Sequence, residues 1–264
     1  MRKISEKLID RLTKGDLIPL LDYIKKDNEL RLEVRQKWEA FVYYRKGKAL
    51  EIGSLIVDEK YGKVPSTELA VSNPFEYFKL IKESIDNWLN SKKERAEFDT
   101  QQKIAQCNQD IDDKYIILDM EYAFEQNQIE KDKREKRAVF DLLGIERKTN
   151  NIIFFEVKKG MGATNGKSGI EEHINDFKTY LNGKNSKSFR DNLIQDIRNI
   201  IEDKIKLGLL YNFKISDNFG QSEPELIFVF HPDNNSQIQI ADFTKELQNR
   251  HQLIIVDNND YKLK

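Results

Sequence analysis

Apolar residues recur at helical spacing near the start of the chain: Ile4, Leu8, Ile9 and Leu12, then Leu17, Leu20, Leu21 and Ile24, with a break at Gly15. This period predicts two short amphipathic helices within residues 4–27. The next segments, LRLEVR (30–35), AFVYYRKG (40–47) and KALEIG (48–53), alternate apolar and polar positions instead. They read as half-buried antiparallel strands, the last two joined at Lys46-Gly47. Residues 1–68 therefore form a small N-terminal α+β module, with Pro65 and Pro74 bracketing its junction to a larger domain over 69–264.

From residue 74 a helical pattern (Phe75, Phe78, Ile81, Ile85, Trp88, Leu89) runs on through a polar second half to about 105. YIILDMEYAF (115–124) reads as a strand, and IEKDKREKR (129–137) as a charged connection. Two apolar runs follow within RAVFDLLGIERKTNNIIFFEVKK (137–159), joined by a polar turn. The glycine-rich segment 159–169 leads into a helix at 170–181 and a second at about 189–210. A strand at 225–230, a helix at 239–250 and a strand at 253–257 complete the order. The first three strands have short connections and should form an antiparallel meander, whereas the later ones return through helices, as parallel strands require. The expectation is an α/β chain with a mixed (α+β type) central sheet flanked by helices.

The apolar strands carry charges where a core strand should have none. Asp141 interrupts the first run, and Glu156 and Lys158 interrupt the end of the second. An unpaired buried charge costs several kcal/mol, so such residues call for a purpose. Strand side chains alternate, so Glu156 and Lys158 project the same way while Phe155 and Val157 pack behind. Asp141, on the neighbouring strand, sits beside Glu156 if the register brings their faces together. Two carboxylates can hold Mg²⁺, with the Val157 carbonyl as a further oxygen ligand. Such an ion lowers the pKa of a bound water, and an adjacent lysine orients that water and neutralises charge on a phosphate.

Composition and charge narrow the setting. Hydrophobic residues make up 39% and charged residues 34%, with five prolines and twelve glycines, which excludes collagen-like and low-complexity types. The formal net charge is −1, yet residues 131–190 hold fourteen lysines and arginines against eight aspartates and glutamates. A local excess of six positive charges in an otherwise acidic chain fits a phosphate-binding face, although solvated surface charge also fluctuates this much. The lone Cys107 excludes an intrachain disulfide framework. The charged start MRKISEKLIDRL does not read as a signal peptide, and no apolar run approaches membrane-spanning length. A cytoplasmic location is expected.

Phe140-Asp141, a hairpin, then Glu156-Val157-Lys158, set between helices and strands in this order, resembles the PD-(D/E)XK nuclease superfamily of restriction-endonuclease-like fold. The resemblance covers about residues 74–231 and excludes the N-terminal module; Phe140 replaces the proline that usually precedes the aspartate. It implies that Asp141 and Glu156 are metal ligands and that Lys158 is the catalytic lysine. It further implies an acidic residue ahead of the hairpin, for which Glu121 stands with Asp119 on its strand, and polar groups from the following helix, His173 and Asn175. Lys167 and Ser168, near that helix's N-terminus, are placed to meet a substrate phosphate, and His173 is a candidate for the same phosphate. The implied protein is an Mg²⁺- or Mn²⁺-dependent deoxyribonuclease acting on DNA in defence or repair, often as a homodimer.

Two other readings compete. IIFFEVKKGMGATNGKSGIEEH imitates a nucleotide-binding P-loop, but Gly166-Lys167-Ser168 needs a glycine where Met161 stands. A catalytically silent nuclease-like module that binds nucleic acid or protein is the alternative outside enzymes. Trp38, Phe41, Tyr43 and Tyr44 in the N-terminal module can serve recognition or dimerisation, or simply pack an antiparallel sheet.

Overall fold

The computed structural model describes every residue except 38, 54, 56, 58, 63, 92–95, 111, 124–138, 161–168, 183–185, 212, 233–235 and 248–249. In chain order the elements are β1 (Lys3–Ile4), α1 (Glu6–Lys14), α2 (Ile18–Lys26), β2 (Leu30–Val34), β3 (Gln36–Lys37), β4 (Ala40–Tyr44) and β5 (Gly47–Ile52). A 3-10 turn (Glu59–Tyr61), α3 (Thr67–Ser72), α4 (Pro74–Asn90) and α5 (Ala96–Cys107) follow. Next come β6 (Tyr115–Ala123), β7 (Val139–Glu146), β8 (Ile152–Lys159), α6 (Ile170–Asn182) and α7 (Ser186–Lys206). The order ends with β9 (Glu225–His231), α8 (Ser236–Leu247) and β10 (Gln252–Ile255). The expected helix over 74–105 is thus two helices. Among the described residues no helix is long and apolar enough to cross a membrane.

The chain divides into two compact units, Met1–Gln102 with Asp196–Phe213, and Lys103–Gln195 with Lys214–Lys264. The junction expected at 68/69 falls inside the first unit because α4 buries Tyr77, Phe78, Ile81 and Ile85 there. Tyr77 Oη donates to the Ala49 carbonyl at 2.7 Å, and Lys82 Nζ donates to Asp27 Oδ2 at 2.7 Å, tying α4 to β5 and to the end of α2.

In the first unit β2, β4 and β5 form an antiparallel sheet. Leu32 and Val34 face Val42 and Ala40, and these pair with Leu50 and Ile52, giving one apolar side. The β4–β5 hairpin turns at Arg45 and Lys46, whose φ angles are +48° and +58°, one residue earlier than the pattern suggests. A two-residue hairpin turn of type I′ needs positive φ at both positions. Gly47 then opens β5 at a place where a Cβ would lie 2.9 Å from Ile85 Cγ2.

The other side of that sheet carries charge. Glu33 is fully buried, receives a hydrogen bond from Arg31 Nε at Oε1, and receives another from Lys204 Nζ at Oε2, 2.7 Å away. Tyr43 and Tyr44 are buried and bonded to Arg35 and Asp86, so these two aromatics pack the sheet; Trp38 lies outside the described residues. Asp196 and Asp203, seven residues apart and hence on one face of α7, accept from the Arg2 and Ile4 amides at 2.6 and 2.9 Å. They hold β1 beside β3.

The second unit is built on a five-stranded sheet in the order β10-β9-β8-β7-β6. β6, β7 and β8 run antiparallel, while β9 and β10 add in parallel, so the expected mixed sheet is present. Gly144 allows β6 close to β7, since a Cβ there would meet the Ile116 carbonyl at 2.7 Å. One side of the sheet is covered by α6 and α8. Phe154 meets Phe177 and Tyr180 of α6 at ring distances of 6.1 and 5.8 Å, and Phe230 stacks on Phe243 of α8 at 4.5 Å.

Glu33 is the carboxylate shared by two buried cations. Glu33→Ala should lower the unfolding free energy by about 3–5 kcal/mol, measured by urea denaturation followed by far-UV circular dichroism.

Candidate functional site

The β7–β8 register pairs Leu142 with Phe155 and Leu143 with Phe154. Continued by one step, it sets Asp141 opposite Glu156. The pairing there passes to a side chain: Asp141 Oδ2 accepts from the Val157 amide at 2.9 Å. Both main-chain groups of a strand residue point toward the same neighbour, so the Val157 carbonyl is also directed to the β7 side.

Phe154, Glu156 and Lys158 share the side of β8 that α6 covers. α6 is fixed there by Ile170, Ile174, Phe177 and Tyr180, all buried. His173 stands one turn before Phe177 and so reaches the sheet along the same stripe. Its Nε2 lies 2.9 Å from Glu156 Oε1 and 3.2 Å from Lys158 Nζ. Lys158 Nζ donates to the same Oε1 at 2.9 Å. Three sequence-expected residues, Glu156, Lys158 and His173, therefore form one contact cluster, with Asp141 anchored at the adjacent step.

Glu156 is 2% exposed and Lys158 3% exposed. Burial pushes the Glu156 carboxyl upward, but the Lys158 ammonium and the His173 ring outweigh it and hold the group below the usual glutamate range. Glu156 is thus an ionised carboxylate in the interior of a sheet. Its second oxygen, Oε2, is buried and accepts no hydrogen bond among the described residues. An unsatisfied buried carboxylate oxygen is expensive, and here it sits on the residue that the sequence pattern marks as a cation ligand.

The remaining candidates are placed differently. β6 shifts register between Ile117 and Asp119, and Glu121 has φ +56°, so simple alternation does not hold along this strand. Asp119 is fully buried and Glu121 half-buried. Met120 pairs with Leu142 and Tyr122 with Phe140, which leaves Glu121 level with Asp141 on the next strand. Asn175 is exposed on α6 and is not brought to the cluster. Lys167 and Ser168, with Met161 and Gly166 of the P-loop-like segment, lie outside the described residues. The Asp141–Val157 hydrogen bond has no signal in the sequence, because nothing in a residue pattern reveals a side chain taking over a ladder position.

Among the described residues no group of three or more His, Cys, Asp or Glu is arranged to hold a metal ion. No family model, no curated protein and no solved structure matches the chain.

A carboxyl held below its unfolded value stabilises the fold above that value and loses the contribution as pH falls through the folded one. The stabilisation from Glu156 should therefore be complete above its ordinary value of about 4.5 and should decline in more acid solution. Unfolding free energies measured from neutral to strongly acid pH should show a steeper acid loss for the unsubstituted chain than for Glu156→Gln, and parallel curves would refute the assignment.

Proposed function

We propose that this chain is a metal-dependent nuclease with a restriction-endonuclease-like core in its second unit, hydrolysing phosphodiester bonds of DNA. The observation that carries this reading is Glu156: buried, ionised, fixed through Oε1 by Lys158 and His173, and left with an unpartnered Oε2. That orphaned oxygen is what a divalent cation would satisfy, so the residues present fit the implied ion.

Asp141, Glu156 and the Val157 carbonyl would hold Mg²⁺ or Mn²⁺, and two carboxylates suffice because Mg²⁺ keeps several of its waters. Bound there, the ion supplies Lewis-acid stabilisation of the phosphate and an acidified water. Lys158 has a compact ammonium on a flexible stem, suited to neutralising charge on the scissile phosphate. The hydrogen bond from Lys158 to Glu156 keeps that ammonium at the site in the resting protein. DNA as the partner is supported by the local positive excess over residues 131–190. Service in defence or repair, a cytoplasmic location and a homodimer that cuts both strands belong to the same proposal.

A second reading has one observation in its favour. Glu156 and Lys158 are almost inaccessible to solvent, which suits a nuclease-like module that binds nucleic acid or protein without cutting it.

Incubation with plasmid, linear duplex and single-stranded DNA, in Mg²⁺, Mn²⁺ or EDTA, separates the two. Cleavage should require the metal and should fall by about a hundredfold or more in Asp141→Ala, Glu156→Gln and Lys158→Ala. Metal-independent DNA binding without cleavage, unchanged by these substitutions, would favour the silent module.

A further inference from the structure

His173 touches the site from a different element, and its position bears on how Glu156 can meet a cation. Its Nε2 faces Glu156 Oε1 at 2.9 Å and Lys158 Nζ at 3.2 Å. With its proton on Nε2 the ring donates to Oε1, the shorter of its two contacts, and this is the tautomer the inference requires; with the proton on Nδ1, Nε2 would instead accept from Lys158 Nζ and leave Oε1 a single donor. Oε1 then receives two donors, Lys158 Nζ and His173 Nε2–H, which stand side by side 3.2 Å apart. A carboxylate oxygen so occupied has little lone-pair capacity left. The other oxygen, Oε2, is the buried and unpartnered one. The helix that bears the ring is anchored by buried Ile170 and Phe177, about one turn before and one turn after it.

We propose that His173 is a positioning residue: together with Lys158 it locks Oε1 of Glu156, so that Glu156 offers a cation Oε2 alone. The inference rests on the reading of Glu156 as a cation ligand and goes beyond it by setting the mode of ligation and hence the choice of ion. Ca²⁺ favours six to eight oxygens and readily takes a carboxylate in bidentate fashion, whereas Mg²⁺ demands a compact octahedron with single oxygens. A glutamate restricted to one oxygen therefore selects Mg²⁺ or Mn²⁺ against Ca²⁺. It also assigns His173 to the metal side of the site rather than to the substrate phosphate.

The test is Mn²⁺ binding in the absence of DNA, followed by water-proton relaxation, with Ca²⁺ as competitor. His173→Ala should weaken Mn²⁺ binding by about tenfold or more, as loss of a residue that orients a metal ligand does. It should also narrow the preference for Mn²⁺ over Ca²⁺, since Oε1 is released. His173→Gln, whose amide can donate in place of Nε2–H, should recover most of both, and DNA binding in EDTA should be the same in all three proteins. Mn²⁺ affinity that survives His173→Ala in a folded protein but is abolished by Glu156→Gln would overturn the inference. So would loss of DNA binding in EDTA with metal affinity intact, which would make His173 a phosphate contact. If the unsubstituted protein binds no Mn²⁺, the cation reading itself falls.

Discussion

The second unit depends on keeping one negative charge, that of Glu156, inside a sheet. β8 is apolar from Ile152 to Phe155 and lies between β7 and β9, so it can only be a buried strand. A carboxylate there is tolerated because Lys158, two residues on and hence on the same side, donates to it, and because α6 delivers His173 over it. The docking of α6 through Phe177 and Tyr180 against Phe154 is therefore not separate from the site. The same aromatic contacts that seat the helix set the height of the imidazole above Glu156. Sheet, helix and site are one packing solution.

Much of this architecture is legible in the residue pattern. Periods of two and of three to four residues give the strands and helices in nearly their observed order, and connection lengths give the meander and the parallel additions. What is not legible depends on contacts distant in sequence or on backbone choices with no composition cue. The hairpin turns on Arg45 and Lys46, two residues that do not advertise positive φ, while the adjacent Gly47 is there to admit Ile85. The first unit recruits part of α7 through Asp196 and Asp203, whose partners are main-chain amides some two hundred positions away. No local pattern could have drawn that boundary.

The candidate site shows the same division. Asp141, Glu156 and Lys158 stand out because charge in an apolar run is conspicuous, and strand alternation places Glu156 beside Lys158. Glu121 is harder, since a register shift and a left-handed residue in β6 remove the alternation on which its direction would be read. His173 is visible as a polar group on the right helix, but its contact with Glu156 rather than with solvent follows from how α6 is seated.

Glu33, Asp203 and Glu156, three of the five buried carboxylates among the described residues, answer the cost of burial in different ways. Glu33 has both oxygens occupied, Oε1 by Arg31 and Oε2 by Lys204, a closed arrangement with nothing left to bind. Asp203 uses Oδ2 for the Ile4 amide and leaves Oδ1 without a partner among the described residues, and burial pushes its carboxyl upward. Glu156 is held in the opposite direction by a lysine and a histidine, which keep it charged while both crowd the same oxygen. A proton is disfavoured at its open oxygen, and no protein donor is supplied there among the described residues. A charged carboxylate with one oxygen crowded and the other open is the arrangement on which the proposal of a cation ligand rests.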